Sequence, residues 1–179
     1  MAATLRNEVA KLRRRSIGWL AAAMVVAVVA LAPVGVITAP DLDVDDPDAW
    51  LALLAGMTLA VTLTSPLLLA TLASRQTDVE HQGSAWLMQS TAGLTPGRLC
   101  RAKWAVLAVV VVVVAGAQSW GVLAVGRLLG LSTPPPIVHW AVCTAAMAVV
   151  SLVLLALHIL LSAAIANQLA VLAVGLLGT

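Results

Sequence analysis

Asp41, Asp43, Asp45, Asp46 and Asp48 form the densest group of chemically capable side chains in the sequence. Carboxylates packed this closely can coordinate a hard cation. Their irregular spacing, punctuated by Pro40 and Pro47, does not match a calcium-binding loop, so the run reads as a solvated connection. His81, His139 and His158 fall in three different settings, and nothing in their spacing brings them around one metal. Cys100 and Cys143 lie in separate segments and read as small residues rather than as a disulfide. The phosphate-binding pattern G-x-x-x-x-G-K-[ST], the zinc pattern H-E-x-x-H and the nucleophile pattern G-x-S-x-G are all missing. The chain therefore reads as no enzyme and as having no cofactor of its own.

The elements around these residues explain why so little soluble chemistry is present. Uncharged runs extend from Ser16 to Pro40, Ala49 to Ser74, Trp104 to Gly126 and Leu128 to Thr179. Crossing a hydrocarbon core of about 30 Å takes roughly 20 helical residues, and each run is long enough. Hydrophobic residues make up 61% of the 179 and charged residues 10%, with a mean hydropathy of +1.03. The expectation is an all-α, polytopic membrane helix bundle forming a single transmembrane domain over 1–179. No carboxylate or Lys falls inside a span, which argues against a proton-coupled carrier and against an intramembrane enzyme.

The placement of the charges, more than their net value of +2, predicts orientation. Arg6, Lys11 and Arg13 to Arg15 precede the first span, and Arg75, Arg98, Arg101 and Lys103 separate the second from the third. By the positive-inside rule both segments are cytoplasmic and the N-terminus is inside, in a multi-pass protein of the plasma membrane. A cleaved signal peptide is the weaker reading, because the apolar stretch after Arg15 is too long and Pro40 would follow the cut. Trp19, Trp50, Trp86, Trp104, Trp120 and Trp140, the only aromatics, sit mostly near span ends and read as interfacial anchors.

The spans are expected at about 16–37, 50–73, 104–126 and 139–161. Pro33 should kink the first, and Pro66 should bend the second by removing a backbone hydrogen bond. Ala52, Gly56, Ala60 and Thr64 form a small-residue stripe suited to close helix approach. Gln118 is the main polar group of the third span, and its amide should face either another helix or a translocation path. An incomplete fifth span is expected at about 165–179, since the residues after Gln168 reach only roughly 18 Å at about 1.5 Å per residue. The sequence on this reading is part of a longer parent, or other elements complete its final helix.

Segment 74–103 carries most of the remaining polar residues. Val79, Trp86 and Leu87 can share a helical face, which predicts a short amphipathic cytoplasmic helix between spans 2 and 3. Arg98, Arg101 and Lys103 should anchor the third span to anionic headgroups at the membrane surface.

At these residues the chain resembles the permease subunits of ABC-2 type exporters, particularly the lantibiotic and antimicrobial-peptide immunity permeases. Glu8, Lys11, Arg13 to Arg15 and Trp19 resemble the basic N-terminal helix that leads into the family's first span. Arg75, Glu80, Gly83 and Trp86, followed by Leu94, Pro96, Arg98 and Lys103, are similar to its loop between spans 2 and 3. The resemblance implies a six-helix permease that pairs with a second permease copy or paralogue and with cytosolic ABC ATPase subunits, where ATP and Mg would reside. It implies export of an antimicrobial peptide or other amphiphile, with Glu80, Trp86 and Lys11 coupling the permease to the ATPase. Membrane lipid is the other expected partner, and nucleic acid is not. The alternative is a non-transporting membrane scaffold or sensor subunit that binds other helices through its small-residue faces.

Overall fold

The computed structural model describes residues 17–39, 43–81 and 95–165. Every regular element among them is an α-helix: α1 (Ile17–Leu31), α2 (Val34–Ile37), α3 (Asp48–His81), α4 (Pro96–Leu128) and α5 (Ile137–Ala164). Four stretches are long and apolar enough to cross a membrane, at Ile17–Ile37, Asp48–Thr77, Gly97–Leu128 and Ile137–Ala164. Val109, Val113, Val142, Val149, Val153 and Leu160 project outward and are exposed. Apolar residues all round a helix bundle belong in lipid, because water would penalise so large an exposed patch. The molecule is a polytopic membrane helix bundle.

The four long helices form a ring in the order α1, α3, α5, α4. Both α1 and α5 pack broadly against α3 and α4, while α3 and α4 face each other across the diagonal with far less contact. Two apolar clusters fill the interior. One joins Val28, Ala32, Trp50, Met57, Val122 and Trp140; the other joins Met24, Leu69, Leu72, Leu107, Leu155 and Ile159. The first lies toward the end that carries Asp43, Asp45, Asp46 and Asp48, called the acidic end below. The second lies toward the end that carries Arg75, Arg98, Arg101 and Lys103, the basic end.

Pro33 interrupts the first span as expected, separating α1 from α2 at Ala32 and Pro33. Proline cannot donate to the preceding turn, so the helix restarts, with Val36 and Ile37 donating to the Pro33 carbonyl at 3.0 and 2.9 Å. This break lets α3 approach: a Cβ added at Gly56 would stand 2.1 Å from the Ala32 carbonyl oxygen. Of the small-residue stripe, Ala60 is buried and Gly56 half-buried, whereas Ala52 is exposed. At Pro66 the helical assignment of α3 continues without interruption. Thr58, Thr62 and Thr64 donate to the carbonyls four residues back, at 2.9, 2.9 and 2.7 Å.

Helix lengths depart most from the sequence reading at the basic end. α3 does not stop near residue 73 but runs to His81, and α4 starts at Pro96, well before Trp104. Their 34 and 33 residues span about 50 Å each, roughly 20 Å more than a hydrocarbon core. Val79, placed in the expected amphipathic helix, therefore belongs to the continuation of α3. The remainder of that helix, and all but the first residue of the fifth span, lie outside the described residues. Pro96 in the first turn of α4 costs no intrahelical bond, since first-turn amides have no helical partner.

Candidate functional site

Polar burial concentrates at the basic end. The last turns of α3 bury Ser74, Gln76 and Thr77, α4 buries Lys103, and α5 buries His158 and Ser162, all at 4% exposure or less. Ser74 Oγ donates to the Thr71 carbonyl, and Thr77 Oγ1 reaches the carbonyls of Ala73 and Ser74, each at 3.1 Å. Lys103 Nζ donates to the Gln76 carbonyl oxygen at 2.8 Å. This contact ties α3 to α4 across the diagonal where the two helices otherwise touch least. Withdrawing an ammonium from water is costly, so the pairing must be kept for the charge to stay inside. The expectation that Lys103 anchors to lipid headgroups is thereby corrected: its side chain is 0% exposed and points into the bundle. Arg98 and Arg101 are exposed on the same helix.

His158 occupies the neighbouring part of α5. Its Nδ1 lies 2.7 Å from the Leu154 carbonyl, and its buried Nε2 has no hydrogen-bond partner among the described residues. Glu80 belongs to the last turn of α3, four residues beyond Gln76, where only the backbone is described. Trp86 and Lys11 lie outside the described residues. Among the described residues, no three His, Cys, Asp or Glu side chains are grouped so as to hold a metal ion.

Midway along the bundle, Gln118 is 5% exposed and its Nε2 donates to the Met24 carbonyl at 3.1 Å. Its amide is thus directed at α1. A side-chain donor supplied to a helical carbonyl gives the amide a partner that hydrocarbon cannot offer.

The acidic end is laced shut by aromatic and hydroxyl contacts. Trp50 and Trp140 meet edge to face, with centroids 6.0 Å apart and planes at 83°. Trp50 Nε1 donates to the Thr133 carbonyl at 2.9 Å, and Trp140 Nε1 donates to Ser119 Oγ at 2.9 Å. Arg127 sits 5.3 Å from the Trp50 ring centre and donates to the carbonyls of Leu131 and Thr133 at 3.0 and 3.2 Å. Ser132 Oγ donates to Asp45 Oδ1 at 2.5 Å, joining the loop before α3 to the loop after α4. The carboxylates of Asp43 and Asp46 accept the backbone N–H groups of Asp45 and Asp48, each at 2.9 Å. These aspartates shape the turn into α3.

Among the described tryptophans, Trp50 and Trp140 are therefore core residues rather than lipid-facing anchors. Trp50 and Trp140 are 0% and 2% exposed, against 80% for Trp19 and 74% for Trp120. A Cβ at Gly126 would stand 2.5 Å from the Trp50 ring, but nothing in one sequence pairs those positions.

Two apolar grooves open along the seam between α4 and α5. The one nearer the acidic end, of about 430 Å³, has Gly116, Ser119, Trp140 and Thr144 among its walls. The one at the basic end, of about 570 Å³, is lined by Cys100, Arg101, Trp104, Ala156, Leu160 and Ala163 among others. Trp104 Nε1 donates to the Leu152 carbonyl at 3.2 Å and holds the seam between them.

The family model described as ABC-2 family transporter protein matches residues 4–179. The chain belongs to the ABC-2 transporter family. No curated protein and no solved structure matches it. As an ABC-2 family member it is a transmembrane permease component of an ABC exporter, a role that implies an ABC ATPase subunit as partner. For an ABC-2 permease the basic end, with its helix extensions beyond the hydrocarbon core and its buried clasp, is the candidate functional site.

Proposed function

We propose that this permease exports an amphiphile, an antimicrobial peptide being the leading candidate, using ATP hydrolysed by a cytosolic ABC ATPase, and that it does so beside a second permease copy or paralogue. In this reading the protein sits in the plasma membrane with its N-terminus and basic end inside. Glu80, Trp86 and Lys11 transmit the ATPase movement, while Arg98 and Arg101 rest against anionic headgroups. The observation that carries the reading is the Lys103 to Gln76 clasp within a chain of the ABC-2 family. α3 and α4 flank the connection on which the ATPase would push, and the clasp makes them respond together instead of splaying apart. A rigid-body tilt of helices packed in this way can switch a path from one face of the membrane to the other.

The test is Glu80→Lys in the complex isolated from native membranes. Export should fall at least about ten-fold, the effect of losing roughly 1.4 kcal/mol of coupling, while ATP hydrolysis and membrane insertion persist. Unchanged export would remove Glu80 from the coupling role. Mass spectrometry of proteins copurifying with the chain in mild detergent supplies the second arm. A stoichiometric ATPase supports the exporter; recovery of only other membrane proteins, where a known exporter complex survives, favours the scaffold or sensor reading.

A further inference from the structure

The groove at the basic end combines features that an apolar packing face alone would lack. Its floor and far wall are small or aliphatic, Ala156, Leu160 and Ala163 on α5, and its near wall holds Arg101 and Trp104 on α4. Between Ala156 and Ala164 it follows α5 for about 12 Å, close to the roughly 15 Å depth of one hydrocarbon leaflet. Arg101 is exposed and stands one turn before Trp104, where the charge-free part of α4 begins, a position that suits the edge of a hydrocarbon core. Arg98 is exposed one turn further out. Among the described residues the groove's lining carries positive charge and no carboxylate.

We infer that this groove is a binding site for one anionic phospholipid of the adjacent leaflet, with an acyl chain laid along Ala156, Leu160 and Ala163 and its phosphate paired with Arg101. Charge complementarity selects the headgroup: a guanidinium forms paired hydrogen bonds with phosphate oxygens, and phosphatidylglycerol, unlike phosphatidylcholine, brings no ammonium to oppose it. The apolar wall selects the chain, because Ala156 and Ala163 leave a recess where larger residues would close the seam. A lipid so placed would fill the α4–α5 seam at the end where these helices project from the membrane. The inference rests on the headgroup contact proposed above for Arg101 and is independent of whether the protein transports.

The test uses the full chain in mixed micelles with brominated phosphatidylglycerol or brominated phosphatidylcholine. Bromine on the acyl chain quenches nearby indole, and the part of the quenching lost in Trp104→Phe reports this groove. Half-maximal quenching should need about five-fold less phosphatidylglycerol than phosphatidylcholine, the ratio given by about 1 kcal/mol for one Arg near a headgroup. Arg101→Gln should bring that ratio to two or below, roughly, since one contact supplies it. Ala163→Phe, which fills the recess without adding an indole, should abolish the Trp104-dependent quenching by both lipids, with helicity unchanged by circular dichroism. Equal quenching by the two lipids in the wild-type protein, or a preference that survives Arg101→Gln, would overturn the inference. So would the absence of Trp104-dependent quenching, which would mean that another segment of protein occupies the groove.

Discussion

Gly56→Ala places one methyl group against the tightest backbone approach at any glycine described. The added Cβ would stand 2.1 Å from the Ala32 carbonyl oxygen and 3.1 Å from its carbon, so α3 and the break between α1 and α2 must separate by about 1 Å. A backbone carbonyl cannot rotate aside as the end of a side chain can. Against a backbone atom, overpacking falls at the upper end of its range, about 3 kcal/mol, and the better helix propensity of alanine returns about 1 kcal/mol, leaving a net loss of about 2 kcal/mol. Two companions calibrate it. At Gly121 the added methyl would meet Val29 Cγ2 at 2.6 Å, a side-chain atom that can yield, so the loss should be smaller. At Gly116 nothing lies within 4 Å, so alanine should be neutral or stabilising by up to about 1 kcal/mol. Thermal unfolding in detergent, followed by circular dichroism, should rank Gly116→Ala first, Gly121→Ala next and Gly56→Ala last, at about 2 to 4 °C per kcal/mol. Gly56→Ala matching the wild-type midpoint, or Gly116→Ala falling below Gly121→Ala, would refute the close approach of α3 to the α1–α2 break.

Other residues give shorter tests. Lys103→Ala should lower stability by about 2 to 4 kcal/mol through a cavity and a lost charge-assisted bond, whereas Arg101→Ala should stay within about 0.5 kcal/mol; chemical unfolding of the purified protein separates them. Trp50→Phe should cost about 1 kcal/mol for the lost bond to Thr133, and Trp50→Ala about 3 to 5 kcal/mol for the emptied core, read by the same unfolding assay. Gln118→Leu should cost below about 1 kcal/mol, the usual scale of interhelical hydrogen bonds in membranes, because the Met24 carbonyl belongs to a helix that continues through it. A larger loss in Gln118→Leu would point to a role for the amide beyond tying α4 to α1.

How much was legible differs from element to element. The four spans could be read because the uncharged runs are a property of the chain taken in order, and lipid imposes the same length on each. The break at Pro33 was equally local, since a missing N–H has its effect where it stands. Lys103 was misread for the opposite reason: its position at the edge of a span fits a headgroup anchor, and only the diagonal approach of α3 turns its ammonium inward to Gln76. The ends of α3 and α4 were also set short, because the Asp and Arg residues that mark the limit of the apolar run do not break a helix.

By itself the sequence determined the class of protein, the number of described spans and the asymmetry of charge between the two ends, because each depends on composition along the chain. The tertiary structure decided which side chains those spans hide. Trp50, Trp140 and Gln118 leave the lipid, and Lys103 leaves the aqueous surface, once the ring α1, α3, α5, α4 closes. The physical reason is that every face of these helices is apolar enough for the bilayer, so hydropathy cannot choose the inward face. Close approach at Gly56, the edge-to-face indoles and the few interhelical hydrogen bonds make that choice, and each joins residues far apart in the chain.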